Sequence, residues 1–159
     1  MTDLQPAVDA SAPTSPVPND DLWVERNGTR TYTGFSSRGA RVDIGPVEAG
    51  AVFTPGELLK IALAACAGMS SDLRLQRALG EDYQVTIRAT APKHDTEDRY
   101  ADFQEVFEID LSSLDDATRE KTLTLAQRAI DRVCTVGNTL KAGAPVAPVR
   151  FVQPADPDA

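Results

Sequence analysis

Histidine and cysteine are scarce in this sequence: of 159 residues, one is histidine and two are cysteine. Two thiols cannot staple a disulfide-dense mini-protein, so stability must come from packing. A single histidine excludes zinc held by several imidazoles and argues against a histidine-dependent triad. That residue, His94, lies in the charged loop Pro92–Arg99, where a solvated role suffices. Positive charge is also short: 16 Lys+Arg stand against 24 Asp+Glu, a formal charge of −8 with no basic run. Such a chain has no footprint for a phosphate backbone, and nucleic acid is not an expected partner. No window approaches the about 18 consecutive apolar residues of a membrane span. Residues 1–21 have no basic segment followed by an apolar one, so no secretory signal is expected and the cytoplasm is the expected location. A Gly-rich phosphate loop is missing too, because Gly34, Gly39 and Gly45 read as turns of a β-meander.

What is present suits one α+β domain. Hydrophobic residues make up 42% of the chain, enough for a core. Residues 1–21 are rich in Pro, Ala, Ser and Asp and read as a disordered tail, with 154–159 similar and a folded unit over 22–153. Leu22–Arg26 and Thr29–Phe35 read as strands joined at Asn27-Gly28, a two-residue hairpin signal, and Arg41–Ile44 as a third strand. Thr54-Pro55-Gly56-Glu57 then sets an N-cap, a favoured first residue and a capping-box glutamate. The helix it opens runs to Gly80, and its stretch Ile61–Met69 (IALAACAGM) is small or apolar all round, as in a helix enclosed by its neighbours. Tyr83–Ala91 and a segment through Phe103, Phe107, Ile109 and Leu111 alternate as a strand pair. Asp115 or Asp116 caps a second helix ending near Val133, with Leu123, Ala126, Ile130 and Val133 as its apolar stripe. Gly137 and Asn138 read as a break, Thr139–Ala142 as a further turn, and Val149–Gln153 as a closing strand.

Each residue with chemistry to offer also has a plain structural reading. Cys66, among Ala62, Ala64, Ala65, Ala67 and Gly68, is either a small buried hydrophobe or a thiol to which small neighbours leave room. A mid-helix position gives its own helix dipole little leverage, so a reactive thiolate here needs a nearby cation. Cys134 follows 68 positions later at a helix end, without a Cys-x-x-Cys signature. Glu57 is accounted for by the capping box or by a catalytic role. Arg30, Arg38 and Arg41 are either solvated strand residues or sources of the cation that Cys66 needs.

Thr54-Pro55-Gly56-Glu57-Leu58-Leu59 leading to Ala64-Ala65-Cys66, with Cys134-Thr135-Val136 later, resembles the two cysteine motifs of the osmotically inducible protein C / organic hydroperoxide resistance (OsmC/Ohr) family. The resemblance spans roughly residues 22–152. It implies an OsmC-like fold, antiparallel sheets around two central helices in an intertwined homodimer. It also implies a thiol-dependent peroxidase, reducing organic hydroperoxides to alcohols without cofactor or metal. Carried over, Cys66 is the peroxidatic cysteine and Cys134 the resolving one. Arg30, or else Arg38, is the thiolate-activating arginine, and a lipoyl-type dithiol is the reductant. Two positions depart from the family pattern. Gly56 stands where peroxidase members have a glutamate ten residues before the first cysteine, with Glu57 one position on, turned by about 100° on a helix. Thr135 replaces the usual proline. The competing readings are a non-catalytic dimer that binds a small ligand and a thiol redox sensor.

Overall fold

The computed structural model describes residues 21–152. The tails expected at 1–21 and 154–159 lie outside these residues, apart from Asp21. The chain divides into two compact units, one through Pro55 and the other from Gly56.

In the first unit, β1 (Leu22–Gly28), β2 (Thr31–Ser36) and β3 (Arg41–Ile44) form an antiparallel meander in that order. Trp23 pairs with Phe35 across β1 and β2, and their rings stack at 5.5 Å. Gly34 sits within β2 and not in a turn, opposite Val24 and Val42; a Cβ there would lie 3.1 Å from the Val42 side chain. A polar chain crosses all three strands. Asn27 Nδ2 donates to Thr33 Oγ1 at 2.8 Å, and the buried Thr33 hydroxyl donates to Asp43 Oδ1 at 3.0 Å. That bond, with a second from Arg41, holds the Asp43 carboxyl below the usual range.

The first turn falls later than Asn27-Gly28 predicts. With Gly28 opposite Thr31 and an irregularity between Arg26 and Gly28, the turn is made by Thr29 and Arg30. Asn27, the residue that the pairing skips, sends its side chain across to Thr33 instead of forming the turn. Arg30 consequently adopts a left-handed conformation, φ 59°. At the next turn Gly39 supplies the left-handed residue, φ 87°, at no steric cost. A 3₁₀ turn, Val47–Ala49, precedes the second unit.

The long helix α1 (Pro55–Leu79) begins at the predicted proline and stops before Gly80, whose φ of 97° ends it. Leu63, Ala67, Ser71 and Leu75, four apart, form its buried stripe together with Ala64. Ala67 and Ser71 are wholly buried. The Ser71 hydroxyl is satisfied within the helix, donating to the Ala67 carbonyl at 3.0 Å and the Gly68 carbonyl at 3.1 Å. Strand β4 (Val85–Thr90) pairs antiparallel with β5 (Gln104–Ile109), as the alternation predicts. A Cβ on Gly68 would come within 2.7 Å of Ile87 Cδ1, so glycine lets this strand pair approach α1 closely. Tyr83 ties the following loop back to α1 by donating to Asp72 Oδ1 at 2.7 Å; burial and that carboxylate push its phenol up to about 12.

Helix α2 (Asp116–Val133) is capped by Asp115, whose Oδ1 accepts the Thr118 N–H at 2.9 Å. Its buried residues are Thr122 and Ala126; Leu123 and Val133, expected in the stripe, are exposed. The inward face is therefore rotated toward 122/126/130. Three further expectations are corrected. The segment read as a break and a turn is a third helix, α3 (Thr135–Ala142). Residues 144–152 carry no strand, and Pro145 and Pro148 remove two of the donors a ladder would need. Among the described residues of one chain α1 is not enclosed all round, since Ile61, Met69 and Leu73 are exposed opposite its buried stripe.

Candidate functional site

Cys66 lies mid-way along α1, half-buried beside the fully buried Ala67. Cys134 occupies the joint between α2 and α3 and is 2% exposed. Its backbone N–H closes α2 on the Ile130 carbonyl at 3.0 Å, and its carbonyl accepts from Asn138 N at 2.9 Å. Its Sγ accepts the Gly137 N–H at 3.3 Å, so a sulfur caps α3 where an oxygen usually would. Space is tight there: a Cβ on Gly137 would sit 3.1 Å from Cys134 Sγ and 3.6 Å from Leu63 Cδ1.

Folding brings the two distant thiols close enough for each to shift the other's affinity for its proton. Burial pushes the Cys66 thiol up, but it is outweighed. The backbone N–H of Val136, the Cys134 thiol, the Thr135 N–H and the Ser70 hydroxyl all favour the Cys66 thiolate, and the net shift is downward. Cys134 moves the other way: burial raises it first, then its donation to Cys66, against a smaller lowering from Gly137. The pair is thus polarised, with Cys66 the readier of the two thiols to give up its proton. The mid-helix cysteine gains the electrostatic support its own dipole denies it from the first turn of another helix, α3.

A cleft of about 560 Å³ reaches Cys134 between α3 and the loop before β5, with Leu63, Phe103, Ile130 and Leu140 among its apolar walls. Glu105, on the inward face of β5, lines it, and its Oε1 is sealed from solvent with no hydrogen-bond partner. Burial raises the Glu105 carboxyl, against a weaker opposing effect from Lys141. Tyr100 also lines the cleft, held edge-on against Phe103 at 5.4 Å with Lys60 Nζ 5.4 Å from its ring centre. The Tyr100 hydroxyl fills the space into which a side chain at 56 would project. A side chain there would have to displace the Tyr100 ring.

Of the residues singled out from sequence, Cys66 and Cys134 are brought together. Glu57 stands in the first turn of α1. Arg30 and Arg38 lie in the first unit, at the β1–β2 and β2–β3 turns. Sequence reasoning missed α3, Glu105 and Tyr100. A signal existed for Glu105, which shares the parity of Phe103, Phe107 and Ile109 and so had to face inward.

Comparison with known proteins agrees with this architecture. A family model described as OsmC-like protein matches residues 48–148. Uncharacterized proteins of Mycobacterium tuberculosis (H37Rv) and Mycobacterium bovis are each 50% identical over 125 residues, 79% of this chain and 91% of theirs. Among solved structures, an OsmC-like protein from Mycoplasma pneumoniae aligns with a TM-score of 0.59 at 17% identity, covering 77% of this chain and 86% of that one. The organic hydroperoxide resistance protein OhrB of Bacillus subtilis aligns with a TM-score of 0.51 at 18% identity, covering 75% and 88%. No helix among the described residues is long and apolar enough to cross a membrane. With the family model covering well over half of the sequence, and relatives at half identity spanning most of it, the chain belongs to the OsmC-like protein family.

Proposed function

We propose that this protein is a thiol peroxidase that reduces organic hydroperoxides to alcohols. The observation that supports the reading best is the polarised thiol pair, in which the start of α3 and Cys134 stabilise Cys66 as a thiolate. In the first step the Cys66 thiolate attacks the outer oxygen of ROOH. The O–O bond breaks, ROH leaves with a proton, and Cys66 becomes a sulfenic acid. In the second step the Cys134 sulfur displaces the sulfenic oxygen as water and the Cys66–Cys134 disulfide forms. A dithiol reductant of lipoyl type then reopens it by exchange. By the family resemblance Arg30, or else Arg38, is the proposed thiolate-activating cation, and Glu57 a further candidate residue. The exposed apolar face of α1 with Ile61, Met69 and Leu73 supports an intertwined homodimer, in which a second copy covers it.

The test is stopped-flow consumption of tert-butyl hydroperoxide by the reduced protein and by Cys66→Ser. The expected result is stoichiometric consumption by the first alone; equal rates would remove the peroxidase reading. The filling of the glutamate position by Tyr100 favours a second reading, a thiol sensor that is oxidised but does not cycle. Oxidation without sustained turnover against dihydrolipoamide would establish that instead.

A further inference from the structure

We propose that Glu105 is the proton acceptor for Cys134 when Cys134 closes the disulfide onto Cys66. The inference rests on the thiol-pair reading of the site but not on the identity of the oxidant.

Cys134 is almost wholly buried and its thiol is held in the protonated form, partly by the charge of Glu105 itself. This suits a resting enzyme, because it keeps the second thiol from competing with the first. It is an obstacle at the second step, when Cys134 must act as the nucleophile and its proton must go elsewhere. Cys134 itself exposes only 2% of its surface. The groups that share its cleft from the loop before β5 are Arg99, Tyr100 and Asp102, and from α3 Lys141. Arg99 is paired with Glu97. Lys141 makes an ion pair with Asp131 at 3.4 Å. Arginine and lysine are donors when charged.

Glu105 stands apart from these. It lies on the inward face of β5 between two spaces, one reaching Cys134 and the other bounded by Leu75, Phe107 and Ile130. Its Oε1 is sealed off with both lone pairs unused, a costly state for a carboxylate unless it has a proton to receive. Burial brings its affinity for a proton closer to working pH, where a proton-transfer group is most effective.

The step balances. Cys134 S–H gives its proton to Glu105, directly or through one water, as the sulfur bonds to Cys66 Sγ. The Cys66 S–O bond breaks, and the departing hydroxide takes the proton back from Glu105 and leaves as water. No electrons are gained or lost beyond those already transferred to the peroxide.

Glu105→Gln in the full chain tests this in two arms. In the first, one equivalent of tert-butyl hydroperoxide is added, and the Cys66 sulfenic acid and the disulfide are followed separately by quenched mass spectrometry. In the second, Cys66 is converted to its mixed disulfide with thionitrobenzoate, and attack by Cys134 is read as release of the coloured thiolate, with no peroxide involved. We expect an unchanged rate of sulfenic acid formation and closure slowed by about a hundredfold in both arms, within the usual range for a lost general base. Glu105→Asp should recover part of the rate. The wild-type closure rate should rise with pH as Glu105 ionises and then level, whereas the variant should follow only the ionisation of the thiol. A merely structural role would not produce that change of profile. Closure at the wild-type rate in the second arm would overturn the proposal. If hydroperoxide leaves the wild type untouched while the second arm still slows, the peroxidase reading falls and the role of Glu105 stands.

Discussion

Replacing Gly56 by alanine should destabilise the protein, although alanine is the better helix former. A Cβ built at 56 overlaps Tyr100 Oη and lies 3.0 Å from Cζ and 3.5 Å from Cε2 of the same ring. Ordinary carbon contacts sit near about 3.5–4.0 Å, so the ring must retreat or the first turn of α1 must shift. Retreat is resisted from two sides, by the edge-on packing against Phe103 and by Lys60 over the ring. Overpacking of this kind costs about 1–3 kcal/mol. The helix-propensity gain is at most about 1 kcal/mol, and less in a first turn. The net loss should be about 1–2 kcal/mol, and with about 2–4 °C per kcal/mol for a chain of this size the melting temperature should drop by several degrees. A double-mutant cycle isolates the cause. In a Tyr100→Leu background the hydroxyl is gone, Gly56→Ala should become neutral or stabilising, and the coupling energy should fall within about 1–3 kcal/mol. Thermal and urea melts of the four proteins measure it. A stabilising Gly56→Ala with Tyr100 in place would refute the steric argument.

Three other outcomes are expected. Because Cys66 titrates below an ordinary thiol and Cys134 above one, iodoacetamide at pH 7 should alkylate Cys66 first, and Cys134→Ala should raise the pH midpoint of that reaction by removing a donor; peptide mapping across a pH series reads both. Asp115 has a folded-state affinity for protons lowered by its bonds to Thr118, so its stabilisation of α2 is present above the usual carboxylate range and lost as pH falls through the lower folded value. Asp115→Ala should therefore lower the melting temperature at pH 7 but hardly at pH 2. Arg30 holds a left-handed backbone that costs about 1–2 kcal/mol for a side chain bearing a Cβ. Arg30→Gly should leave stability equal or higher, and a fall in peroxide consumption on the same sample would then assign the loss to the guanidinium.

The helices were legible where capping chemistry announced them. Thr54-Pro55 and Gly80 bounded α1, and Asp115 bounded α2, because satisfying orphan N–H groups needs particular residues at fixed places. Helix α3 escaped the same logic because its cap is a cysteine sulfur, and because Gly137, a residue that reads as a breaker, sits in tight contact with that sulfur. The turn at Asn27-Gly28 was misplaced because a local signal lost to a cross-strand bond that sequence proximity does not reveal. At the site, the two cysteines stood out by their surroundings, but the source of thiolate stabilisation did not. A search for cations overlooks peptide N–H groups, which belong to every residue and acquire direction only when the chain is folded.

The buried stripe of α1 has a consequence for how this protein can vary. Ala67, Gly68 and Ser71 possess no group that reacts, yet they set how near the sheet and the neighbouring helices come to the axis that bears Cys66. One added methyl at Gly68 would press on Ile87 and push the strand pair away from that axis. Tolerance to change should accordingly be low even at positions that do no chemistry.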